Sequence, residues 1–313
     1  MVTFILRKIA AGIVVLAAIS FLTYFLLYFS SANIARNILG EFASQEQVQA
    51  KEIELGLDQP LLPRFFGWAA HAITGDLGTS WFTSEGVGQA ILTRLPVTLT
   101  LMVVAILLIA IFATILGMAA AVKRGWIDRV VQTAAVVGDA IPGFVLAIIL
   151  VTLFAIQLQL FPATSSIAPD AGSAAWVASL TLPVIALLIN GVTGGAQQIR
   201  SAVIKQLEKD YVRTLRSRGI SEREILFKHV LRSAAPAGLT VLSLQFIGML
   251  GGVVIIEQIF ALPGMGALAV QSTTTGDIPL VMGVVIYTVV IVVIVNLLVD
   301  LINGWLNPKV RVA

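Results

Sequence analysis

Residues 96–122 read PVTLTLMVVAILLIAIFATILGMAAAV, an apolar stretch without a charged side chain. A helix needs about 20 apolar residues to cross the hydrocarbon core of a bilayer, and each ionised side chain at its centre costs roughly 2.5–3.5 kcal/mol. A charge-free run of this length therefore predicts a transmembrane helix.

The same pattern recurs along the chain. Further charge-free runs cover residues 9–29, 140–169, 171–199, 233–256 and 278–299. Only 12% of the 313 residues are charged, whereas a soluble domain carries about 25%. We therefore predict an all-α integral membrane protein that forms one transmembrane domain over residues 1–313. Its six transmembrane helices are expected at about 9–30, 97–121, 130–155, 177–199, 236–258 and 280–303.

The first run has two interpretations. Arg7 and Lys8 before it, and Ser30-Ser31-Ala32 after it, resemble the flanks of a cleaved signal peptide. The apolar stretch is longer than the 7–15 residues of such a signal, however. This length favours a retained membrane anchor.

The basic residues predict the orientation. If the N-terminus is cytoplasmic, all but four of the 20 Lys and Arg residues are inside, the exceptions being Arg36, Lys51, Arg64 and Arg94. Cytoplasmic loops carry the excess of positive charge. We therefore expect a multi-pass protein of the cell (plasma or inner) membrane with both termini in the cytoplasm.

Two loops are too long to be simple connections. The external loop, about residues 31–95, holds an amphipathic stretch at 44–57 and an aromatic one around Trp68. The cytoplasmic loop, about 200–235, continues an apolar stripe that recurs every four residues. The members of this stripe are Ile199, Val203, Leu207, Tyr211 and Leu215.

The cytoplasmic loop also carries turn signals. Gly219 follows the stripe as a glycine follows a helix C-terminus, and Ser221 with Glu224 fits a capping box. We predict a helix, a sharp turn with φ > 0 at Gly219, a short helix from Glu222 towards Ser233, and a fifth span with Pro236 in its first turn. An amphipathic linker on the bilayer surface is the alternative.

The segment DYVRTLRSRGISER, residues 210–223, resembles the cytoplasmic EAA loop of ABC-importer permeases. In detail it is similar to the first permease subunit of the dipeptide, oligopeptide and nickel family, although Leu215 stands where that family commonly has alanine. Segments that resemble the same family in order are Phe4–Lys8, Leu55–Leu61, Gly75–Ser80, Arg94–Leu99, Ile141–Phe144, Ile256–Gly266, and Asp300 with Asn307–Arg311.

The resemblance implies a type I ABC-importer permease fold and a permease subunit that forms half of a translocation pathway. The implied partners are a second homologous permease subunit, two cytoplasmic ATPase subunits and an extracytoplasmic substrate-binding protein. ATP and Mg would be bound by the ATPases and no cofactor by this chain. Peptides are the implied cargo, with nickel complexes, glutathione or another small solute as alternatives.

Three groups of candidate residues follow. The residues expected to couple the chain to an ATPase are Arg213, Thr214, Arg216, Arg218, Gly219, Ser221 and Glu222. The resemblance implies that the external loop reaches out as a scoop towards the binding protein. The residues expected to dock that protein are Gly75, Asp76, Gly78 and Trp68. Candidates for the pathway are Asp139, Glu257, Pro263 and Gly264.

Two of the pathway candidates have alternative roles. Asp139 lies within a predicted span, where ionisable groups usually face a bundle interior or a watery path. It either contacts a cationic group of the cargo or pairs with a Lys or Arg near the cytoplasmic face. Glu257 either braces the turn at Pro263-Gly264 or binds substrate.

The sequence lacks the motifs of an enzyme. It contains no G-x-x-x-x-G-K-[ST] phosphate loop, no G-x-S-x-G and no H-E-x-x-H, and it has no cysteine and only two histidines, far apart. We predict no catalytic residue, no metal site and no nucleic-acid partner. A self-sufficient secondary transporter, the rival class, usually has more membrane-embedded carboxylates or an inverted repeat.

Overall fold

The computed structural model describes residues 2–30, 34–164 and 172–306. Some positions discussed above lie outside the described residues: 31–33 of the signal-peptide alternative and the external loop, 165–169 and 171 of two apolar runs, and the segment 307–311.

The described chain is almost entirely helical. Its α-helices are α1 (Val2–Ser30), α2 (Ile34–Leu39), α3 (Gln45–Glu54), α4 (Leu61–Ile73), α5 (Val87–Lys123), α6 (Gly125–Ala140), α7 (Gly143–Leu150), α8 (Gly172–Leu207), α9 (Asp210–Ser217), α10 (Glu222–Glu224), α11 (Leu231–Ile259), α12 (Met265–Thr275) and α13 (Ile278–Leu306). Two π-helical segments, Val151–Gln157 and Ile225–Val230, extend α7 and join α10 to α11.

Length and composition support the predicted spans. Five continuous helices of the described chain are long and apolar enough to cross a membrane, and a bent pair makes a sixth if it counts as one span. Most of the helices exceed the predicted spans at both ends, and α1 does so at its N-terminal end only. Helix α5, for example, begins at Val87, ten residues before the predicted 97. The length of a charge-free run predicts the part of a helix that lies in the membrane. It does not predict how far the helix continues into water through polar residues.

The prediction of one continuous third helix at 130–155 is wrong. The chain breaks between α6 and α7, and the two helices meet at an angle of 91°. Pro142 lacks an N–H group and disfavours helical geometry at the residue before it, and Ile141 accordingly has the extended dihedrals φ −93°, ψ 117°.

The cytoplasmic loop also differs from its prediction. The fourth-span helix runs on to Leu207, and the predicted stripe helix is interrupted at residues 208–209 before α9. Pro236 lies inside α11 and does not start the fifth span, because the helix that begins at Glu222 continues through the π-segment to Ile259. The apolar stripe itself is confirmed, since its members pack in one cluster around Val203 and Val212.

Contacts divide the chain into two compact units. The first lies within residues 1–98 and 263–294. One of its clusters surrounds Ile91 and Leu268, and another, rich in aromatic rings, surrounds Tyr24 and Phe65. This unit contains the short helices of the predicted external loop.

The second unit lies within residues 99–262 and 295–313. In it, α8 packs against α6, α7 and α11. Small residues on α8 permit close approach: a methyl group at Gly195 would lie 2.9 Å from the Ala113 Cβ, and one at Gly191 would overlap Ile109. Gly191 and Gly195 of the fourth span therefore serve tight packing.

Candidate functional site

The coupling segment, defined here as residues 208–230, rests on an apolar base. Val212 of α9 and Ile225 of the π-segment are fully buried, together with Val203 of α8. Tyr211, Leu215 and Ile220 pack against the same cluster. Because the two short helices share this base with α8, the segment is a fixed protrusion and not a loose linker.

The turn at Gly219 is a Schellman motif. The Ile220 amide donates to the Leu215 carbonyl at 3.2 Å, and the Gly219 amide donates to the Arg216 carbonyl at 2.9 Å. Gly219 has φ +74°, which confirms the positive φ predicted from the sequence. A Cβ at this position would meet no atom within 4 Å, so glycine is required here by backbone conformation alone.

The next helix begins at the predicted residue, but only half of the predicted capping box forms, because the Glu224 carboxylate accepts from Lys228 Nζ at 3.0 Å. The Ser221 hydroxyl accepts from the Glu224 amide at 3.3 Å, which confirms Ser221 as its N-cap. Sequence reasoning missed the ion pair across the turn. Arg216 donates from Nε to Glu222 Oε1 at 2.6 Å and from Nη2 to Oε2 at 3.1 Å. These hydrogen bonds raise the pKa of the Arg216 guanidinium above its ordinary value.

The seven candidate coupling residues share one exposed region of the structure. Their exposed side chains or backbone belong to α9, the turn and α10. Arg223 of α10 and the ring of Phe227 on the π-segment, 58% exposed, lie next to them in the chain. A shallow recess is lined by Ser221, Arg223, Glu224 and Phe227. An exposed arginine beside an aromatic ring, on a packed base, is suited to contact with another protein.

Three of the four candidate docking residues lie in the ordered loop between α4 and α5. Gly75 and Gly78 have φ near +89° and +83°, and the Asp76 carboxylate accepts from the Gly78 amide at 2.9 Å. An isolated antiparallel bridge then joins Thr79 to Gly86, and the Val87 amide donates to the Gly78 carbonyl at 3.0 Å, so residues 78–87 form a short hairpin.

A buried carboxylate anchors this hairpin. Asp277, 1% exposed, accepts from the Ser80 hydroxyl at 2.5 Å and from the amides of Trp81 and Leu280, each at 3.4 Å. Sequence reasoning missed Asp277 because it lies 197 positions from Ser80 and in no motif.

The fourth docking candidate, Trp68, is half-buried and part of the aromatic cluster. Its ring lies 5.9 Å from those of Tyr24 and Phe65. Arg64, one turn before it on α4, places its guanidinium 5.8 Å from the rings of Tyr24 and Trp81. Part of the aromatic stretch of the external loop therefore packs inside the first unit, and part of it is exposed.

The four pathway candidates lie in two places. Asp139 is exposed near the end of α6, and its carboxylate accepts from the Thr193 hydroxyl of α8 at 2.8 Å. Glu257 is fully enclosed, and its backbone carbonyl accepts from the Leu262 amide at 2.9 Å. Pro263 and Gly264 follow directly, with Gly264 as the N-cap of α12.

A cavity of about 400 Å³ lies in the second unit, beside the break of the third span. Its lining residues come from α7, α8 and α11 and include Asn190, Gln245, Gly248 and Gly252. The Asn190 amide nitrogen lies 3.5 Å from the Ile141 carbonyl oxygen at the break. Sequence reasoning missed both amide side chains.

An ion pair fixes the base of α8. Arg200 donates from Nε and Nη2 to the two carboxylate oxygens of Asp128 on α6, at 2.5 and 2.7 Å. The helix that leads into the coupling segment is thereby tied to the first half of the broken span.

Comparison with known protein families gives two matches. Residues 113–312 match the family described as binding-protein-dependent transport system inner membrane component. Residues 1–102 match the N-terminal part of a binding-protein-dependent transport system membrane component.

Individual relatives match along almost the whole chain. A protein named as a peptide transport system permease of Brucella abortus (strain 2308) is 37% identical over 312 residues, 99% of each chain. One named as a peptide ABC transporter permease of Sinorhizobium fredii is 33% identical over 98% of this chain and 99% of its own. The glutathione transport system permease protein GsiC of Salmonella choleraesuis is 32% identical over 99% of each.

Among solved structures, a chain of the MetNI methionine ABC transporter in an inward-facing conformation is similar in fold. The TM-score is 0.56, the identity is 16%, and the match covers 70% of this chain and 97% of that one.

Proposed function

Because the chain belongs to the family of binding-protein-dependent transport system inner membrane components, we propose that it passes short peptides across the membrane as one permease subunit of an ABC importer. An ABC-importer permease is a pathway component and not an enzyme. Family membership also argues against the rival class of self-sufficient secondary transporters.

The names of the relatives support the cargo class. Several are named as peptide permeases and others as glutathione permeases, and glutathione is itself a tripeptide. Glutathione, a nickel complex or another small solute is the alternative cargo. The whole chain, residues 1–313, would act as one permease domain.

Transport of this kind needs partners. The chain has no phosphate-binding loop, so ATP and Mg would be bound by two cytoplasmic ATPase subunits. A second homologous permease subunit would complete the pathway, and an extracytoplasmic binding protein would deliver cargo. The apolar helices would be surrounded by the lipid bilayer. The chain would be a multi-pass protein of the cell membrane with both termini in the cytoplasm.

The coupling segment supports a mechanical route from ATP to the pathway. A permease without a nucleotide site can respond to ATP hydrolysis only through contact with the ATPase. The exposed cations Arg213 and Arg218 and the ring of Phe227 provide such a contact surface. Since the helix from Glu222 continues unbroken to Ile259, a displacement of the segment would move the fifth span directly.

The hairpin at residues 78–87, with Gly75 and Asp76 directly before it, would dock the binding protein. It is held by a buried carboxylate beneath it, Asp277, so its outer face is presented in one conformation. Preorganised surfaces lose less conformational entropy on binding. Trp68, half-buried in the aromatic cluster, would support this surface from below as well as contribute to it.

For the pathway candidates the geometry favours different roles. Asp139 is exposed and hydrogen-bonded to a neutral hydroxyl, so a contact with a cationic cargo group is open to it. Glu257 is enclosed and next to the turn before Pro263 and Gly264, which favours the bracing role over a cargo contact.

Reconstitution of the full complex tests the proposal. The chain, its partner permease, the ATPases and the binding protein would be placed in liposomes with ATP inside, and uptake of radiolabelled trialanine, glutathione and a nickel–histidine complex would be measured. We expect ATP-dependent uptake of trialanine, and stimulation of ATP hydrolysis by the peptide-loaded binding protein. Uptake of the nickel complex alone would refute the peptide assignment.

A further inference from the structure

We propose that helix α4 of the external loop lies in the membrane interface, where one exposed side of the helix contacts the acyl chains of the lipid bilayer. This side, called the α4 stripe, is formed by Leu62, Phe66, Ala70 and Ile73. The inference depends on the chain being a membrane protein and not on the nature of its cargo.

The α4 stripe is apolar and exposed. Leu62, Phe66 and Ile73 expose 54%, 63% and 88% of their surfaces, and Ala70 between them is exposed as well. Spacings of four, four and three residues place all of them on one side of the helix. A contiguous apolar patch of this kind indicates a surface that contacts an apolar partner.

The remaining sides of α4 have different surroundings. Phe65 and the buried Arg64 lie on the side that packs in the aromatic cluster with Trp68. His71 is exposed and, nine residues after Leu62, lies about 180° from it around the helix axis. A helix with an apolar exposed side and a polar edge opposite is suited to the boundary between lipid and water.

Contacts with α1 indicate the level of α4 in the membrane. The charge-free run at residues 9–29 measures about 30 Å as a helix, which equals the thickness of the hydrocarbon core, so Phe29 lies near its external boundary. The ring of Phe65 lies 5.2 Å from that of Phe21 and 5.5 Å from that of Tyr24. These α1 residues precede Phe29 by about 12 and 8 Å along the helix axis. The contact with α4 therefore lies below the boundary, close to the 5–10 Å depth typical of interfacial helices.

The α4 stripe continues the apolar surface of a membrane span. Ring contacts lead from Phe66 through Phe65 and Phe21 to Phe25, whose ring is 38% exposed on α1. The four side chains of the stripe contain no hydrogen-bonding group, whereas a protein interface of standard size includes about ten direct hydrogen bonds. Both observations favour lipid over another protein as the partner of the stripe.

Insertion of α4 would also position the candidate docking residues. The Gly75 amide donates to the Ala72 carbonyl at 3.0 Å, and the Asp76 amide donates to the His71 carbonyl at 3.1 Å. The loop is thus tied to the last turn of α4, and a helix held in the interface would fix the height of this loop above the bilayer. This role, unlike the insertion itself, rests on the proposed docking of a binding protein.

Spin-label accessibility tests the insertion. The chain has no cysteine, so Phe66→Cys and Ile73→Cys can each carry a single nitroxide label in the complex of both permeases with cysteine-free ATPases, in liposomes of phosphatidylethanolamine and phosphatidylglycerol. His71→Cys, on the opposite edge of the same helix, is the control for water, and Leu26→Cys, at a 61% exposed position of α1, is the control for lipid. Electron paramagnetic resonance would measure collisions of each label with oxygen, which concentrates in lipid, and with a neutral nickel chelate, which stays in water.

We expect the ratio of oxygen to nickel collisions at Phe66→Cys and Ile73→Cys to match that at Leu26→Cys. It should exceed the ratio at His71→Cys about tenfold or more, because apolar surroundings exclude polar solutes at least that strongly. Nickel access equal to that at His71→Cys would place the stripe in water and overturn the inference. Protection from both reagents would show that protein covers the stripe and would overturn it too. The labels report depth and not transport, so a failure of the proposed cargo class would leave this result unchanged.

Discussion

Substitution of Gly219 is the sharpest test of the coupling segment. The residue ends α9 in a left-handed conformation, φ +74°, and its two flanking hydrogen bonds close the Schellman turn. Alanine, asparagine and valine at this position form a graded series. A Cβ would touch no neighbour, so the series varies the backbone preference and not the packing.

The expected magnitudes follow from that preference. A left-handed conformation costs an alanine about 1–2 kcal/mol relative to glycine, and a β-branched residue more. Each 1.4 kcal/mol shifts an equilibrium about tenfold. Gly219→Ala should therefore depopulate the turn about tenfold relative to alternative conformations, and Gly219→Val by more. Gly219→Asn should stay close to wild type, because asparagine tolerates this region.

The assay follows three quantities in the reconstituted complex: the amount of ATPase that co-purifies, the hydrolysis rate stimulated by the loaded binding protein, and peptide uptake. We expect uptake to fall in the order asparagine, alanine, valine while the subunit remains inserted at normal abundance. If the valine variant keeps all three quantities at wild-type values, residues 208–230 do not couple ATP hydrolysis to transport.

Three further predictions concern topology, the hairpin anchor and the ion pair. With an impermeant thiol reagent on intact cells, cysteine at Gln49 should be labelled and cysteine at Thr3 should not; the reverse would overturn the orientation. In thermal unfolding of the purified subunit, Asp277→Ala should lower the free energy of unfolding by about 1–3 kcal/mol, since it leaves buried donors without an acceptor. Asp277→Asn, which keeps one acceptor oxygen, should lower it less. Equal losses would contradict the role of Asp277 as the hydrogen-bond acceptor beneath the hairpin. Reversing the charge of Arg216 or of Glu222 alone should weaken ATPase binding, and reversing both together should restore it. The coupling energy should stay below about 1 kcal/mol because the pair is exposed. No recovery in the double variant would show that the two residues act separately.

Features that depend on neighbouring residues were predictable from the sequence. The positive φ of Gly219 and the cap at Ser221 follow from turn chemistry within a few positions, and the structure contains both. The transmembrane character of the apolar helices follows from composition, since insertion energy depends mainly on length and charge.

Features that depend on the direction of a helix or on residues far apart in the chain were not predictable from the sequence. Hydropathy does not register a bend, so it does not distinguish the 91° break at Pro142 from one continuous helix, although the proline itself is a usable signal. The contacts of Asn190 with Ile141, of Asp277 with Ser80 and of Gln245 with Gly191 join positions about 50 to 200 residues apart. Neutral amides also cost too little on insertion to interrupt an apolar pattern, so no sequence signal pointed to them.

The π-helical segment Ile225–Val230 has a consequence for sequence length. Hydrogen bonds in such a segment run from residue i to i+5 and accommodate one residue more than an α-helix would. Deleting a single residue there would restore ordinary α-helical bonding and leave the fifth span facing its neighbours as before. The same deletion within Leu231–Ile259 would rotate every later side chain of that helix by about 100°. Among homologous chains, length differences of one residue between the coupling turn and the fifth span should therefore fall within 225–230.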